Sequence, residues 1–379
     1  MAKRSVFEEV GEKPEVPVAA PGAADAKKAR NRRIIGGWLW LLLVLVVVMV
    51  AVGGLTRLTD SGLSITEWNV VIGALPPLSD ADWNAAFADY QTTDEYKLQN
   101  NWMTLADFKP IFWWEWGHRF LGRVIGLVWF VPLVIFAVAG MIPRGWGLRL
   151  ILPGFLGGLQ GAIGWWMVYS GLSDRVDVAA YRLAVHLGIA FLIFAVLCWL
   201  ILKIRMPEWE ALQARRRRVK GLFGWAAAVT GVLFLQILFG ALVAGTDAWA
   251  GWNTWPLMDG AVIAPEAFDM VPFWANFFEN PAMTQFVHRS FAFIVIAAAM
   301  VFAFRARRSG HKASGRWATW LLVGMLAQAI YGIFVLLVAA PADALVIAVG
   351  HQLGALALLA LAMRAKFEVA YPSAQSIRG

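Results

Sequence analysis

The segment Trp38–Val52, with the sequence WLWLLLVLVVVMVAV, is dominated by leucine and valine and contains no charged residue. Its apolar neighbours extend it to about 20 residues, the length of an α-helix that crosses a hydrocarbon core of roughly 30 Å. Of the 379 residues of the chain, 60% are hydrophobic and 15% are charged, whereas soluble domains are about a quarter charged. The composition therefore predicts an integral membrane protein.

Seven further segments have the same apolar character, and together they predict an all-α membrane protein with eight transmembrane helices. The predicted helices are Ile34–Gly54, Arg119–Gly140, Gly147–Tyr169, Tyr181–Leu202, Leu222–Ala244, Phe286–Phe304, Trp317–Ala339 and Ala344–Met363.

The charges between these helices predict one orientation. Residues 203–220 carry seven Lys or Arg against two Glu, and residues 305–316 carry five Lys or Arg and no acid. The long segments 57–117 and 246–287 are acidic instead. Because basic loops remain in the cytoplasm, both termini are expected there and the two long loops outside. This topology accounts for the net charge of +8 without a nucleic-acid partner. The single cysteine, Cys198, excludes an intramolecular disulfide and a CxxC redox motif.

The chain repeats itself in two halves. Glu115-Trp-Gly-His118-Arg119 matches Gln285-Phe-Val-His288-Arg289, and Leu183-Ala-Val-His186 matches Ala348-Val-Gly-His351. Two tandem, pseudo-symmetric four-helix bundles in the same orientation are expected. The predicted parts are a disordered cytoplasmic tail 1–33, an N-terminal bundle 34–203 with the long outward loop 57–117, a basic linker 204–220, a C-terminal bundle 221–366 and a tail 367–379. A glutamine four residues before a glycine recurs at Gln160, Gln236 and Gln328, and helix packing is the favoured interpretation.

Four of the five histidines lie near the outward ends of the even-numbered helices, one on each: His118, His186, His288 and His351. A lone histidine within a membrane can serve in packing, but ionisable groups there are costly and usually functional. Two facing imidazoles in a four-helix bundle suit bis-histidine haem ligation. Zinc is the alternative, although it usually needs three or four clustered ligands. The favoured hypothesis is one haem site in each half.

Arginines at the outward ends of the helices are unexpected, because basic residues are enriched on the cytoplasmic side. The arginines in this position are Arg57, Arg119, Arg123, Arg175, Arg182 and Arg289. The guanidinium group suits the carboxylates of haem propionates. Some of these side chains can instead extend to the lipid headgroups. For Arg119 and Arg289, which follow histidines, propionates or local acids are favoured.

The halves differ at Glu115, which lies three residues before His118 and shares its helix face. The corresponding residue in the second half is Gln285. A carboxylate beside a porphyrin can act as a base or stabilise positive charge, or it can simply pair with a neighbouring arginine. The residues leave both interpretations open.

The stretches Gly53-Gly-Leu-Thr-Arg57-Leu-Thr-Asp-Ser-Gly-Leu-Ser64 and Phe108-Lys-Pro-Ile-Phe-Trp-Trp-Glu115-Trp-Gly-His118-Arg119-Phe-Leu-Gly-Arg123 resemble haem A synthase, in the form found in mitochondria and alphaproteobacteria. The resemblance covers about Ile34 to Met363. The chain lacks the pair of cysteines that many bacterial members have in an outward loop, so a mechanism that depends on that pair is not expected here.

The resemblance implies an oxidoreductase that converts the C8 methyl of haem O to a formyl group by two hydroxylations. The product, haem A, is the cofactor of cytochrome c oxidase. Haem B is expected on His288 and His351, the substrate haem on His118 and His186, and Glu115 is the candidate catalytic carboxylate. A bacterial inner membrane is the expected location, with the haem sites near the periplasmic side. Haem O synthase is a candidate partner, and a homo-oligomer is compatible with the sequence.

Two other functions share these features. A membrane di-haem b-type electron-transfer cytochrome would also pair histidines, but it typically places haems at both membrane faces. A haem transporter would share the histidines and arginines without needing Glu115.

Overall fold

The computed structural model of the protein describes residues 23–69, 72–174, 177–338 and 344–373. Within these ranges the chain forms eleven α-helices. They are α1 Ala23–Leu58, α2 Asp80–Gln91, α3 Leu105–Val138, α4 Gly147–Asp174, α5 Ala180–Ile204, α6 Glu208–Arg216, α7 Lys220–Gly245, α8 Asn276–Glu279, α9 Pro281–Arg308, α10 Lys312–Leu337 and α11 Ala344–Ala370.

Eight of these helices are long and apolar enough to cross a membrane: α1, α3, α4, α5, α7, α9, α10 and α11. In the described part of the chain, β-type pairing is limited to an isolated bridge between Met258 and Ala261. The predicted all-α membrane fold with eight spans is therefore confirmed.

Two helices begin well before the predicted boundary. Helix α1 starts at Ala23, so the predicted disordered tail 1–33 is wrong for its last eleven residues, and residues 1–22 lie outside the described chain. This alanine- and lysine-rich stretch has high helix propensity. The Arg32 side chain there also donates to the Met206 carbonyl oxygen at 3.0 Å.

Helix α3 starts at Leu105 instead of Arg119, so Glu115 and His118 lie well inside a helix. Its first turn has a capping box, in which Thr104 and Asp107 bond to each other's backbone N–H groups. Phe108 and Phe112 then pack with Trp83 and Tyr90 of α2 in a buried aromatic cluster. Hydropathy missed this turn because Asp107 and Lys109 interrupt the apolar run.

The eight long helices are arranged in two groups of four, α1, α3, α4 and α5 in the first half and α7, α9, α10 and α11 in the second. The two groups meet along α1 and α5 of the first half and α7 and α11 of the second, and contacts among these helices join the halves. Large apolar side chains such as Leu39, Phe191 and Phe302 are fully buried in this shared core. The short helix α6 lies in the predicted basic linker 204–220 and packs against the end of α11 through Ala211 and Ala214.

Candidate functional site

Each of the four histidines packs against a glycine of a neighbouring helix. A Cβ atom added at Gly53, Gly164 or Gly240 would lie 3.0 Å from Cε1 of His118, His186 or His288, respectively. At Gly332 the corresponding distance to Cε1 of His351 would be 2.9 Å. Any larger side chain would crowd the imidazole, so the glycines create the space in which the four rings are seated. Three of these glycines, Gly164, Gly240 and Gly332, belong to the repeated pattern that the sequence shows.

Three of the histidines also contact the glutamine that precedes their glycine by four residues. The amide nitrogens of Gln236 and Gln328 lie 3.1 Å from Nδ1 of His288 and His351. Both amides also donate to the main-chain carbonyl of the same histidine, at 2.9 and 2.7 Å. The three glutamines therefore contact histidine rings of neighbouring helices, which goes beyond the helix packing favoured from the sequence.

In the first half, the amide nitrogen of Gln160 lies 3.1 Å from Nε2 of His186. The Nδ1 atom of His186 is buried and has no hydrogen-bond partner among the described residues. In the second half, the Nε2 atoms of His288 and His351 make no hydrogen bond with any described residue.

The histidines form two pairs, because His118 and His186 lie within electrostatic range of each other, as do His288 and His351. Each pair belongs to one half. Among the described residues, no three His, Cys, Asp or Glu side chains are grouped so that they could hold a metal ion. The donor set in each half is therefore two imidazoles, which suits a planar macrocycle with its own equatorial ligands better than a bare cation.

The Glu115 side chain is 3% exposed and its two oxygens are fully engaged. Oε2 accepts hydrogen bonds from the Ser64 hydroxyl at 2.7 Å and from the Ile65 backbone N–H at 2.8 Å. Oε1 lies 2.5 Å from the Arg119 guanidinium. Glu115 thus forms an ion pair with a neighbouring arginine, which was one of the two interpretations of the sequence. It also accepts hydrogen bonds from the loop after α1.

Gln285 occupies the same place in the second half. Its amide nitrogen donates to the carbonyl oxygens of Ala248 and Gly251, at 2.5 and 2.8 Å, in the loop that follows α7. Both residues bind the loop that follows the first long helix of their half, but only the first half does so with a charged group. The asymmetry found in the sequence is therefore an asymmetry of charge at otherwise equivalent positions.

The predicted cofactor-binding arginines have protein partners. Arg119 donates to the carbonyl oxygens of Ile65 and Glu67, both at 2.8 Å. Arg289 donates to those of Trp252 and Thr254, at 2.6 and 3.0 Å. Arg123 donates to the Asn69 carbonyl oxygen at 2.9 Å, and Arg57 pairs with Asp60 and Asp247 at 2.8 and 2.6 Å. Arg175 lies outside the described residues.

Arg182 is different, because its Nε and Nη1 atoms are buried without a hydrogen-bond partner among the described residues. It lies one helical turn before His186 on α5, and its guanidinium is 4.9 Å from the centre of the Trp166 ring. Buried donors without acceptors are rare and call for a partner. These donors fit an acidic ligand in the first half.

Sequence analysis did not identify Glu95, whose side chain is 5% exposed and whose Oε2 has no hydrogen-bond partner among the described residues. Burial, followed by the charge of Glu115, raises the pKa of Glu95 to about 8. No sequence signal distinguishes it from the other acids of the long loop, because its burial depends on how α2 packs on α3.

Eight membrane helices and two pairs of histidines, each packed against a glycine and three of them against a glutamine, define a polytopic membrane protein with two similar histidine sites. Comparison with known proteins identifies its family. It belongs to the COX15-CtaA family, described as cytochrome oxidase assembly protein, whose model matches residues 36–363.

Several similar proteins carry the name haem A synthase. The protein from Ruegeria pomeroyi is 50% identical over 381 residues and covers 100% of both chains. The protein from Dinoroseobacter shibae is 49% identical, covering 100% of this chain and 98% of its own. The protein from Paracoccus denitrificans is 46% identical, covering 100% and 99%.

Proposed function

We propose that this protein is a haem A synthase, an oxidoreductase that oxidises the C8 methyl of haem O to a formyl group by two successive hydroxylations, after which the geminal diol loses water. The observation that carries the proposal is the pair of histidine sites, similar in framework but different in charge. Membership of the family and full-length similarity to proteins named haem A synthase support it. A difference between two equivalent sites is expected where one haem is a resident cofactor and the other is a substrate.

We assign haem B to the second half, residues 221–366, where His288 and His351 would hold its iron. The glutamine amides contact Nδ1 of both rings, which would leave Nε2 for the metal. An amide that turned its oxygen to Nδ1 would accept the N–H of a ligating ring, and such a hydrogen bond orients the ligand and strengthens its bond to the metal. A firmly held pair of ligands suits a cofactor that stays bound through many turnovers.

We assign the substrate haem O to the first half, residues 34–203, where His118 and His186 would hold its iron. Arg182 has the unpartnered donors that a propionate would accept from. We propose that Arg57, Arg119, Arg123 and Arg289, whose donors contact loop carbonyls or acids, act mainly by fixing the segments around the two sites. The bound haem supplies the redox chemistry when it is present.

Glu115 is the proposed catalytic carboxylate. It lies one turn before His118 on the same face of α3, and its charge has no counterpart in the second half. The contacts with Ser64, Ile65 and Arg119 keep its two oxygens in fixed positions. A fixed negative charge at this point can accept a proton or stabilise positive charge that develops at the nearby haem edge.

The proposed location is the bacterial inner membrane, with both termini in the cytoplasm and both histidine pairs near the periplasmic side. The basic loops support this orientation, and the similar proteins come from bacteria. Haem O synthase is the proposed supplier of the substrate, since its product is the haem that this reaction consumes.

The test is to purify the protein from cells supplied with haem O and to extract its pigments for chromatography and mass analysis. We expect haem B together with haem A or a hydroxylated form of haem O. Haem B alone, with oxygen and haem O both demonstrably present, would overturn the proposal in favour of a b-type electron-transfer cytochrome.

A further inference from the structure

Three of the four histidine sites include a glutamine, and one does not. The glutamine amide lies 3.1 Å from Nε2 of His186 and from Nδ1 of His288 and His351. That glutamine always lies four residues before the glycine that packs on the ring. For His118 the glycine is Gly53, and the residue four positions earlier is Met49.

The repeat confirms that Met49 and Gln236 are equivalent positions. Thr59-Asp60 follows α1 just as Thr246-Asp247 follows α7, and the same offset places Met49 on Gln236 and Gly53 on Gly240. The methionine also points the same way as the amide. Its terminal carbon would lie 3.7 Å from a Cβ atom added at Gly122, one turn after His118 on α3.

A thioether cannot replace the amide chemically. A glutamine amide has a donor and an acceptor and can bond either tautomer of an imidazole, whereas methionine sulfur is only a weak acceptor. The His118 ring nitrogens make no hydrogen bond within the described part of the chain. Of the four rings, His118 is thus the one fixed by packing alone.

We propose that Met49 makes His118 the releasable axial ligand of the substrate haem. This inference rests on the proposed function, in which one haem enters and leaves while the other stays. A hydrogen bond accepted from the second N–H of a ligating imidazole raises its basicity and fixes its orientation, and its loss typically weakens metal binding by 10–100-fold. The oxygen of a glutamine amide can accept such a bond, whereas methionine sulfur accepts it only weakly. A site that must discharge its product benefits from one such weak ligand, and the resident site does not.

The experiment measures haem release from the purified holoprotein to excess apomyoglobin, with the remaining haems identified by chromatography at each time. In the unmodified protein we expect haem O and haem A to leave faster than haem B. Met49→Gln should slow their release by about tenfold or more. Met49→Leu, which keeps the volume without the amide, should leave the rate unchanged.

The reverse substitution, Gln236→Met, should accelerate release of haem B and leave the first half unaffected. Unchanged or faster release of haem O and haem A from Met49→Gln, or unchanged haem B release from Gln236→Met, would overturn the proposal. Because Gln236→Met tests the same principle in the other half, misfolding of Met49→Gln alone would still leave it falsifiable.

Failure of the proposed function would look different. The protein would then contain only haem B, released in two phases from the two halves. Met49→Gln would still slow the fast phase if the inference about His118 holds, and a fast phase unaffected by Met49→Gln would overturn it.

Discussion

At the scale of single residues, the two halves differ at Glu115, whose counterpart in the second half is Gln285. We expect Glu115→Gln to lower formation of haem A by at least about 100-fold, the lower range for loss of a general acid or base, while both haems remain bound. Product is measured by chromatography of extracted haems. The matched control is Glu67→Gln, an exposed carboxyl in the same loop.

The exposed control should retain activity. If Glu115→Gln instead loses the substrate haem together with activity, Glu115 would act through its hold on Ser64 and Ile65 and not through its charge.

A second prediction concerns Glu95. Its pKa is raised to about 8 from an unfolded value of about 4.3, so the folded protein binds this proton more tightly than the unfolded chain does. Stability from this group is therefore complete below about pH 4 and is lost as the pH rises towards 8 and above. Glu95→Gln should leave the melting temperature unchanged at low pH and raise it above pH 8. A melting temperature that falls in the variant at pH 9 would contradict this.

The four histidines were candidates from sequence because histidine is rare in membrane spans and these four recur in a repeat, and Glu115 was a candidate because the repeat has glutamine there. Glu95 was not a candidate, since acids are common in the long loop, and the sequence did not distinguish Arg182 from five other arginines. What makes these two residues unusual is burial without a partner, and only the packing of α2 on α3 and of α4 on α5 creates it.

At the scale of helices, α3 and α4 pack closely together around Trp129 and Gly154. Trp129 donates through its indole N–H to the Leu150 carbonyl oxygen at 3.0 Å, and a Cβ atom at Gly154 would lie 2.0 Å from the Trp129 ring. Gly154→Ala should therefore force the helices apart at a cost of about 1–3 kcal/mol. It should lower the melting temperature and the haem O content of the first half.

The control lies one turn away on the same helix. An added Cβ atom at Gly157 would meet nothing within 4 Å, and alanine has the higher helix propensity. Gly157→Ala should therefore be neutral or slightly stabilising. Equal losses in the two variants would mean that the glycines serve backbone flexibility instead of close packing.

Element types were predictable here, but element ends were not. Hydropathy predicted all eight spans because each has an uninterrupted apolar run. It started α3 too late because the first turns of that helix pack on α2 outside the apolar run, through Phe108 and Phe112. The amphipathic linker helix α6 was missed for a similar reason, since only its two buried alanines contact the core.

At the scale of the whole molecule, the two halves are coupled next to their sites. Gln352, adjacent to His351 on α11, donates to the Val50 carbonyl oxygen of α1 at 3.4 Å. Gly245 of α7 approaches α5 so closely that an added Cβ atom would lie 2.7 Å from the Ala180 Cα. A movement of a helix in one half can therefore shift the other half directly through these contacts.

The Arg57–Asp247 ion pair, at 2.6 Å, also crosses between the halves, and its side chains are 18% and 51% exposed. If it acts as a clamp, Arg57→Gln and Asp247→Asn should each cost no more than about 1 kcal/mol, as partly exposed pairs do. The double variant should then cost less than their sum, because both changes remove the same interaction. Haem content should not change. If Arg57 instead binds a propionate, Arg57→Gln should lower haem retention equally with Asp247 or Asn at position 247, and the two stability effects should add. The measurements are the melting temperature and the extracted haem of the unmodified protein, the two single variants and the double variant. They show whether Arg57 joins the two halves through Asp247 or contacts the ligand directly.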